Sequence, residues 1–345
     1  MAHGLDGKFS QMAFVGQTPW HGLGVKVDEN CNPQEFMEAC GCNWEVDMAP
    51  LQVPQGSIEI EKVTSDEVDG VMVERKILSP LPAMTVPNRA VYRKDNGHIL
   101  GVVGPRYTPL QNVHAFDWFA PFIESGECSF HTGGALFDGQ KIWALAQINR
   151  ESSEIAPGDS VAKFLMLSNS HDGTTAIRVG FTPIRIVCAN TLAMAHGNSA
   201  SKLIRIRHTA KSKTSLDNIR EIVNTANQEF EATADQYRLL ASRQFNQADV
   251  LKYVKQILEI KEDVTSKKGV TQTQNRIDEM MTLIEGPRQS LPGVRGTWWA
   301  AYNGVNEFYN YKAGNTNSSR LDNLWFGTTA GKNVEALKLA LEMAV

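Results

Sequence analysis

The chain has 345 residues, with 34 Lys and Arg against 38 Asp and Glu and 42% apolar residues. That length suffices for one large domain or two ordinary ones, with a core that needs no covalent staples. No run of 18 apolar residues occurs, which argues against a membrane span. The opening MAHGLDGKFSQMAF lacks the cationic start and apolar core of a secretory signal, so a cytosolic location is expected.

The first half reads as strands and turns. Residues 81–111 contain VYRKDNG followed by HILGVV, and Asp95-Asn96-Gly97 between two β-rich runs signals a hairpin, because Asn and Gly accept the positive φ of tight turns. Residues 133–148 repeat the design with a turn at Asp138-Gly139, and residues 161–192 repeat it again at His171-Asp172-Gly173. Three such units in succession predict an antiparallel sheet. A helix is expected over 112–126, capped by Asn112 and disturbed by Pro121, and a short one over 190–196.

The second half reads as helical. From Ser215, read as an N-cap, apolar residues Ile219, Ile222, Val223, Ala226, Phe230, Ala234, Tyr237 and Leu240 recur mostly at three- and four-residue steps, which predicts one long helix over 215–242. Further helices are predicted at 247–260, 273–286, 297–313 and 331–345, with 266–274 as a polar link. Trp298, Trp299, Tyr302, Phe308, Tyr309 and Tyr311 crowd the fourth over more than one face, so some of them should be exposed or buried in an interface. The fold class is therefore α+β: an antiparallel sheet of successive hairpins backed by a long helix, with a largely helical C-terminal half. The division falls at a β-rich region 1–213 and a helical region 214–345, as two domains or one continuous one.

Little in the sequence points to catalysis. G-x-x-x-x-G-K-[ST], H-E-x-x-H and G-x-S-x-G are all missing, and GLG at 22–24 and GVVGPR at 101–106 do not make a dinucleotide fingerprint. His171-Asp172 is the one pair suited to acid-base chemistry or metal binding, but Asp-Gly in a turn reads first as the turn itself. The five cysteines, Cys31, Cys40, Cys42, Cys128 and Cys188, read as free thiols. Cys31, Cys40 and Cys42, with His21 as a fourth ligand, fall short of the paired spacing of structural zinc, so no metal and no cofactor is expected.

The charge distribution is more telling. From Gly173 to Leu216 there is no acid, while Arg178, Arg185, Lys202, Arg205, Arg207, Lys211 and Lys213 all fall there. The remainder of the chain is correspondingly acidic. Alternation in LIRIRH puts Arg205 and Arg207 on one face of a strand and Ile204 and Ile206 on the other. Such a strand can bury its isoleucines and offer its arginines to phosphates, whose condensed counterions are then released. His208, among these cations, would add to the grip when protonated. Tyr92, Tyr107, Trp143 and Phe181 come from the same sheet region and could stack bases, although each reads first as core. A cation-blunted strand edge is the plain alternative.

PWHGLG (19–24), YTPLQN (107–112), GFTPIRIVCANTLAMA (180–195), IRIRHT (204–209), GTWWAAYNGVNEFYNY (296–311) and LWFGTTAGKNVEALKLAL (324–341) together resemble the phage/plasmid-like proteins of bacteriophages, prophages and conjugative plasmids, a family of unknown function. The resemblance spans nearly the whole chain. It implies a mobile element and a bacterial host cytosol, but no reaction. The layout also resembles, at fold level only, the phage single-strand annealing proteins, which form rings or filaments on one DNA strand. By that analogy Arg178, Arg185, Lys202, Arg205, Arg207, Lys211 and Lys213 contact phosphates, and the chain is a non-enzymatic single-stranded DNA binder and annealer acting as a homo-oligomer in recombination or replication. The alternatives are a nucleotide-directed enzyme or small-ligand module using His171 and Asp172, and an inhibitor of a host defence factor.

Overall fold

The structure, a computed structural model, describes residues 12–16, 24–54, 60–68, 71–78, 83–185, 190–191, 204–218, 227–260, 267–313 and 328–345. In chain order these form β1 (Met12–Val15), β2 (Val25–Val27), α1 (Pro33–Ala39), β3 (Val46–Pro54), β4 (Ile60–Val68), β5 (Val71–Leu78), β6 (Ala83–Arg93), β7 (Ile99–Val103), α2 (Asn112–Asp117), α3 (Ala120–Glu124), β8 (Cys128–Leu136), β9 (Lys141–Ala156), β10 (Asp159–Ser170), β11 (Ile177–Arg185), β12 (Asn190–Thr191) and β13 (Ile204–Ile206). The helices α4 (Ser212–Asn218), α5 (Asn227–Ser242), α6 (Gln247–Ile257), α7 (Lys267–Ile284), α8 (Trp298–Glu307) and α9 (Thr328–Ala344) complete an α+β architecture with a helical C-terminal half.

The main sheet runs β12-β11-β10-β9-β8-β1-β2, and β13 lies beside the start of β11. Every pairing in it is antiparallel except β1 with β2. The turns after Leu136 and Ser170 build this sheet as the sequence predicts. The Asp95–Gly97 hairpin joins β6 to β7 instead, in a separate sheet ordered β3-β6-β7. The two sheets meet tightly. A Cβ on Gly101 of β7 would lie 2.6 Å from the Asp172 Cα, so only glycine lets this strand approach the β10–β11 turn.

β10 explains how the sheet is sandwiched. Its residues are buried on both faces, like a central strand with cover on each side. Leu165 and Leu167 enter a core shared with α1, α2, α3 and the smaller sheet, whereas Phe164 and Met166 join Met12, Leu136, Trp143 and Ile184 on the opposite face. The tip of the β9–β10 hairpin leaves both groups. Ile155, Ala156 and Val161 pack into the helical core with Phe230, Tyr237 and Trp299. The Trp299 indole N–H donates to Asp159 at 2.8 Å, and the Ser153 hydroxyl donates to Glu231 at 2.7 Å.

Several local expectations are corrected. Asn112 does not cap α2; Gln111 stands at that position, and the Asn112 amide donates instead to the carbonyls of Cys42 and Trp44 at 2.9 and 3.2 Å. Residues 190–191 of the short helix expected over 190–196 are a strand paired with β11, and the rest lies outside the described residues. Ser215 lies inside α4, which starts at Ser212. The long helix expected over 215–242 is described as α4 and α5, and 219–226 lies outside the described residues. α7 begins at Lys267, so most of the stretch read as a polar link is helical. The helix expected over 297–313 is α8 followed by a π-helical turn at Phe308–Lys312; all ten α8 residues and Phe308, Tyr309 and Asn310 are buried within this chain, and Tyr311 alone of the six aromatics is half-buried, under Arg288. A helix buried on every side must satisfy its polar groups internally. Asn303, Asn306 and Asn310 do so in part, each donating to the carbonyl four residues back. The sequence reading passed over α1. Asn32 accepts from the Glu35 backbone N–H, the Glu35 carboxylate accepts from the Asn32 N–H, and Pro33 opens the helix, so the motif N-P-Q-E carried its signal.

Candidate nucleic-acid interface

The cations gather at the β13 end of the main sheet. Ile204 and Ile206 stand opposite Val179 and Ile177, and all four belong to or pack on the core beneath. Alternation turns Arg205 the other way, where it is exposed and lies directly across from Arg178 on β11. Arg178 in turn faces Ser168 of β10. Arg207, Lys211 and Lys213 follow in the chain, and all three are exposed.

Arg178 is half-buried and Arg205 exposed, so the two strands present like charges at directly opposite positions. Among the described residues no carboxylate lies within ion-pair distance of Arg205, Arg207, Lys211 or Lys213. The other candidates are not gathered here. Arg185 ends β11 opposite Val161 and Asn190, seven residues from Arg178, or roughly 23 Å at strand rise. Lys202 lies outside the described residues.

His208 departs from its expected role. Its side chain is buried, with the ring stacked on Tyr107 at 4.6 Å between centroids and 24° between planes. Burial pushes its pKa down to about 4, and the backbone of Thr175 and Thr108 and the Asp172 carboxylate pull upward without offsetting this. It is a neutral residue near pH 7 rather than a cation on the surface.

His171 and Asp172 do not work as a dyad. The Asn112 amide nitrogen is committed to two carbonyls, so its Oδ1 faces His171 and accepts from Nε2–H at 2.8 Å, which fixes the tautomer. Burial and the neighbouring His208 push the His171 pKa down to about 3, with Asp172 opposing weakly. The Asn169 amide, 3.4 Å from Nε2, donates to the Leu110 carbonyl at 3.0 Å, and the Trp44 ring meets the imidazole edge-on at 5.4 Å. Asp172 closes the turn by accepting from the Ser170 hydroxyl and from the Thr174 N–H and hydroxyl. Both residues hold structure. Sequence reading missed Asn112, Asn169 and Trp44 as the neighbours of His171: Asn112 and Trp44 lie 59 or more positions away, and Asn169, only two away, reads as a strand residue.

The remaining candidates divide by exposure: Tyr92 and Phe181 are half-buried, whereas Trp143 and the thiols of Cys31, Cys40, Cys42 and Cys128 are buried. Phe181 packs beside the buried Lys163 at 4.5 Å. Burial raises the thiol pKa of Cys31 to about 11 and of Cys42 to about 12, and lifts Cys40 as well, so these are protonated apolar side chains. His21 and Cys188 lie outside the described residues, and among the described residues no three His, Cys, Asp or Glu cluster as a metal site. No helix among the described residues is long and apolar enough to cross a membrane.

Residues 99–325 match a family described as "Domain of unknown function (DUF932)". The chain belongs to the DUF932 family. The match takes in β7 through α8, and so includes the main-sheet strands from β8 onward, the β13 cations and most of the helical core. No curated protein and no solved structure matches the chain.

Proposed function

We propose that this DUF932 protein binds single-stranded DNA along the β13 edge, without catalysis, and anneals strands as a homo-oligomer in the recombination or replication of a mobile element in the bacterial cytosol. The observation that carries the reading is the cross-strand pair Arg178–Arg205, followed by exposed Arg207, Lys211 and Lys213 with no described carboxylate pairing the last four of these five. A phosphate backbone laid along the edge releases its own counterions. Self-association has an apolar surface to draw on. Val53 and Met84 stand opposite each other at 47% and 51% exposure, and Ile99 and Val102 on β7 are similarly open.

The enzyme reading draws no support from His171, which is fully buried, neutral and engaged with Asn112. An inhibitor of a host factor could use the same cationic edge against an acidic protein. An oligonucleotide titration separates the two. The wild-type chain should bind a short single strand with affinity falling as salt rises, and size-exclusion chromatography with the strand present should show an assembly. Changing Arg205 and Arg207 together to Ala should weaken binding and flatten the salt slope. Unchanged affinity in that double variant removes the proposal.

A further inference from the structure

The cationic segment is pinned to the rest of the fold at three points, and His208 is the middle one. Upstream, Ile206 sits in the core. Downstream, the Trp118 indole N–H donates to the Leu216 carbonyl at 2.9 Å. Between them the His208 ring lies on Tyr107 and its carbonyl accepts from the Thr108 N–H at 3.2 Å. Tyr107 is itself fixed, because its hydroxyl donates to the Ser170 carbonyl at 2.8 Å. The exposed Arg207 and Lys211 flank the buried ring.

We infer that His208 is a positioning residue for the anion-binding segment: its ring, clasped on Tyr107, holds Arg207 and Lys211 at fixed places above the sheet and makes no phosphate contact itself. This rests on the nucleic-acid reading above. Arg and Lys side chains on a loose loop must lose backbone freedom when they bind, and a segment anchored beforehand has already lost it. A contact residue and a positioning residue leave different marks. Removing a cation that neutralises a phosphate lowers the slope of log affinity against log salt by about 0.7 for a single strand. Removing an anchor lowers affinity at every salt concentration and leaves the slope alone.

The test uses the full chain and a fluorescent oligothymidylate, titrated over a range of salt. His208→Ala should weaken binding roughly tenfold with the wild-type slope, since about 1.4 kcal/mol of ordering cost is tenfold in affinity, whereas Arg207→Ala should flatten the slope. His208→Phe keeps a ring over Tyr107 and should restore most of the affinity. A flattened slope in His208→Ala, unchanged binding in it, or no recovery in His208→Phe overturns the assignment. Amide hydrogen exchange without DNA gives a readout independent of binding. Residues 204–216 should exchange faster in His208→Ala than in the wild type and near wild-type rates in His208→Phe; equal rates in all three chains refute the clasp. A wild-type chain that shows no salt-dependent binding sinks the DNA reading instead, and the exchange data then decide the clasp by themselves.

Discussion

Two neighbouring regions use the same residue types to opposite ends. Around His171, polar side chains are sealed from water and spend their hydrogen bonds on one another and on the backbone. A few residues away in space, the β13 edge leaves four cations open to solvent. The Tyr107–His208 stack and the Thr108 hydrogen bond to the His208 carbonyl join the regions. In the first, a side chain's partner is inside the molecule, so its loss is felt as instability. In the second, no described carboxylate pairs the exposed cations, so their loss should cost the fold little.

The largest effect should come from the buried side. His171→Ala removes a fully buried ring and leaves the Asn112 oxygen without its donor. A loss of about 4 kcal/mol is expected from the cavity and the orphaned acceptor together, read from urea denaturation. A stability within error of the wild type would dissolve the contrast.

Acid should act on the same region. His171 and His208 have pKa values of about 3 and about 4, against roughly 6.5 for a histidine in an unfolded chain. Above pH ~6.5 both states are neutral and stability is full. As the pH falls from there toward 4 and then 3, the unfolded chain takes up protons that the native one refuses, so stability drops on the order of several kcal/mol. A pH series of melting curves that stays flat between 6.5 and 4 contradicts this burial.

Gly101→Ala places a methyl against the Asp172 backbone, which cannot rotate away. A cost of about 2 kcal/mol is expected, in the range of overpacked sites. Tyr107→Phe keeps the ring and loses one hydrogen bond to Ser170, for about 1 kcal/mol. Smallest of all, Arg205→Ala with Arg207→Ala should leave stability within about 0.5 kcal/mol of wild type, as exposed substitutions do. A large loss there would turn the open edge into a structural element.

Local chemistry made much of this legible. The hairpins at Asp95-Asn96-Gly97, Asp138-Gly139 and His171-Asp172-Gly173, the placement of Ile204 and Ile206 inward with Arg205 outward, and the helical second half all follow from turn residues and periodicity. What failed depended on distant partners. Asn112 has the composition of a helix cap, but Cys42, Trp44 and His171 compete for its amide and win. His208 reads as one more cation in KLIRIRHTAKSK until Tyr107, about a hundred positions upstream, closes over it. Nothing along the chain signals that Trp298 through Glu307 will be enclosed on every side, since a stripe wider than one face fits an interface equally well.

The β9–β10 hairpin runs from one core into the other, with Ala144, Leu165 and Leu167 in the sheet core and Ile155, Ala156 and Val161 among the helices. A fragment cut near residue 213 would therefore keep the hairpin and lose the wall it rests against, exposing an oily fingertip in place of a finished surface. Heated intact, the two halves should give way in a single melting event, because neither can come apart without taking part of the other's lining with it.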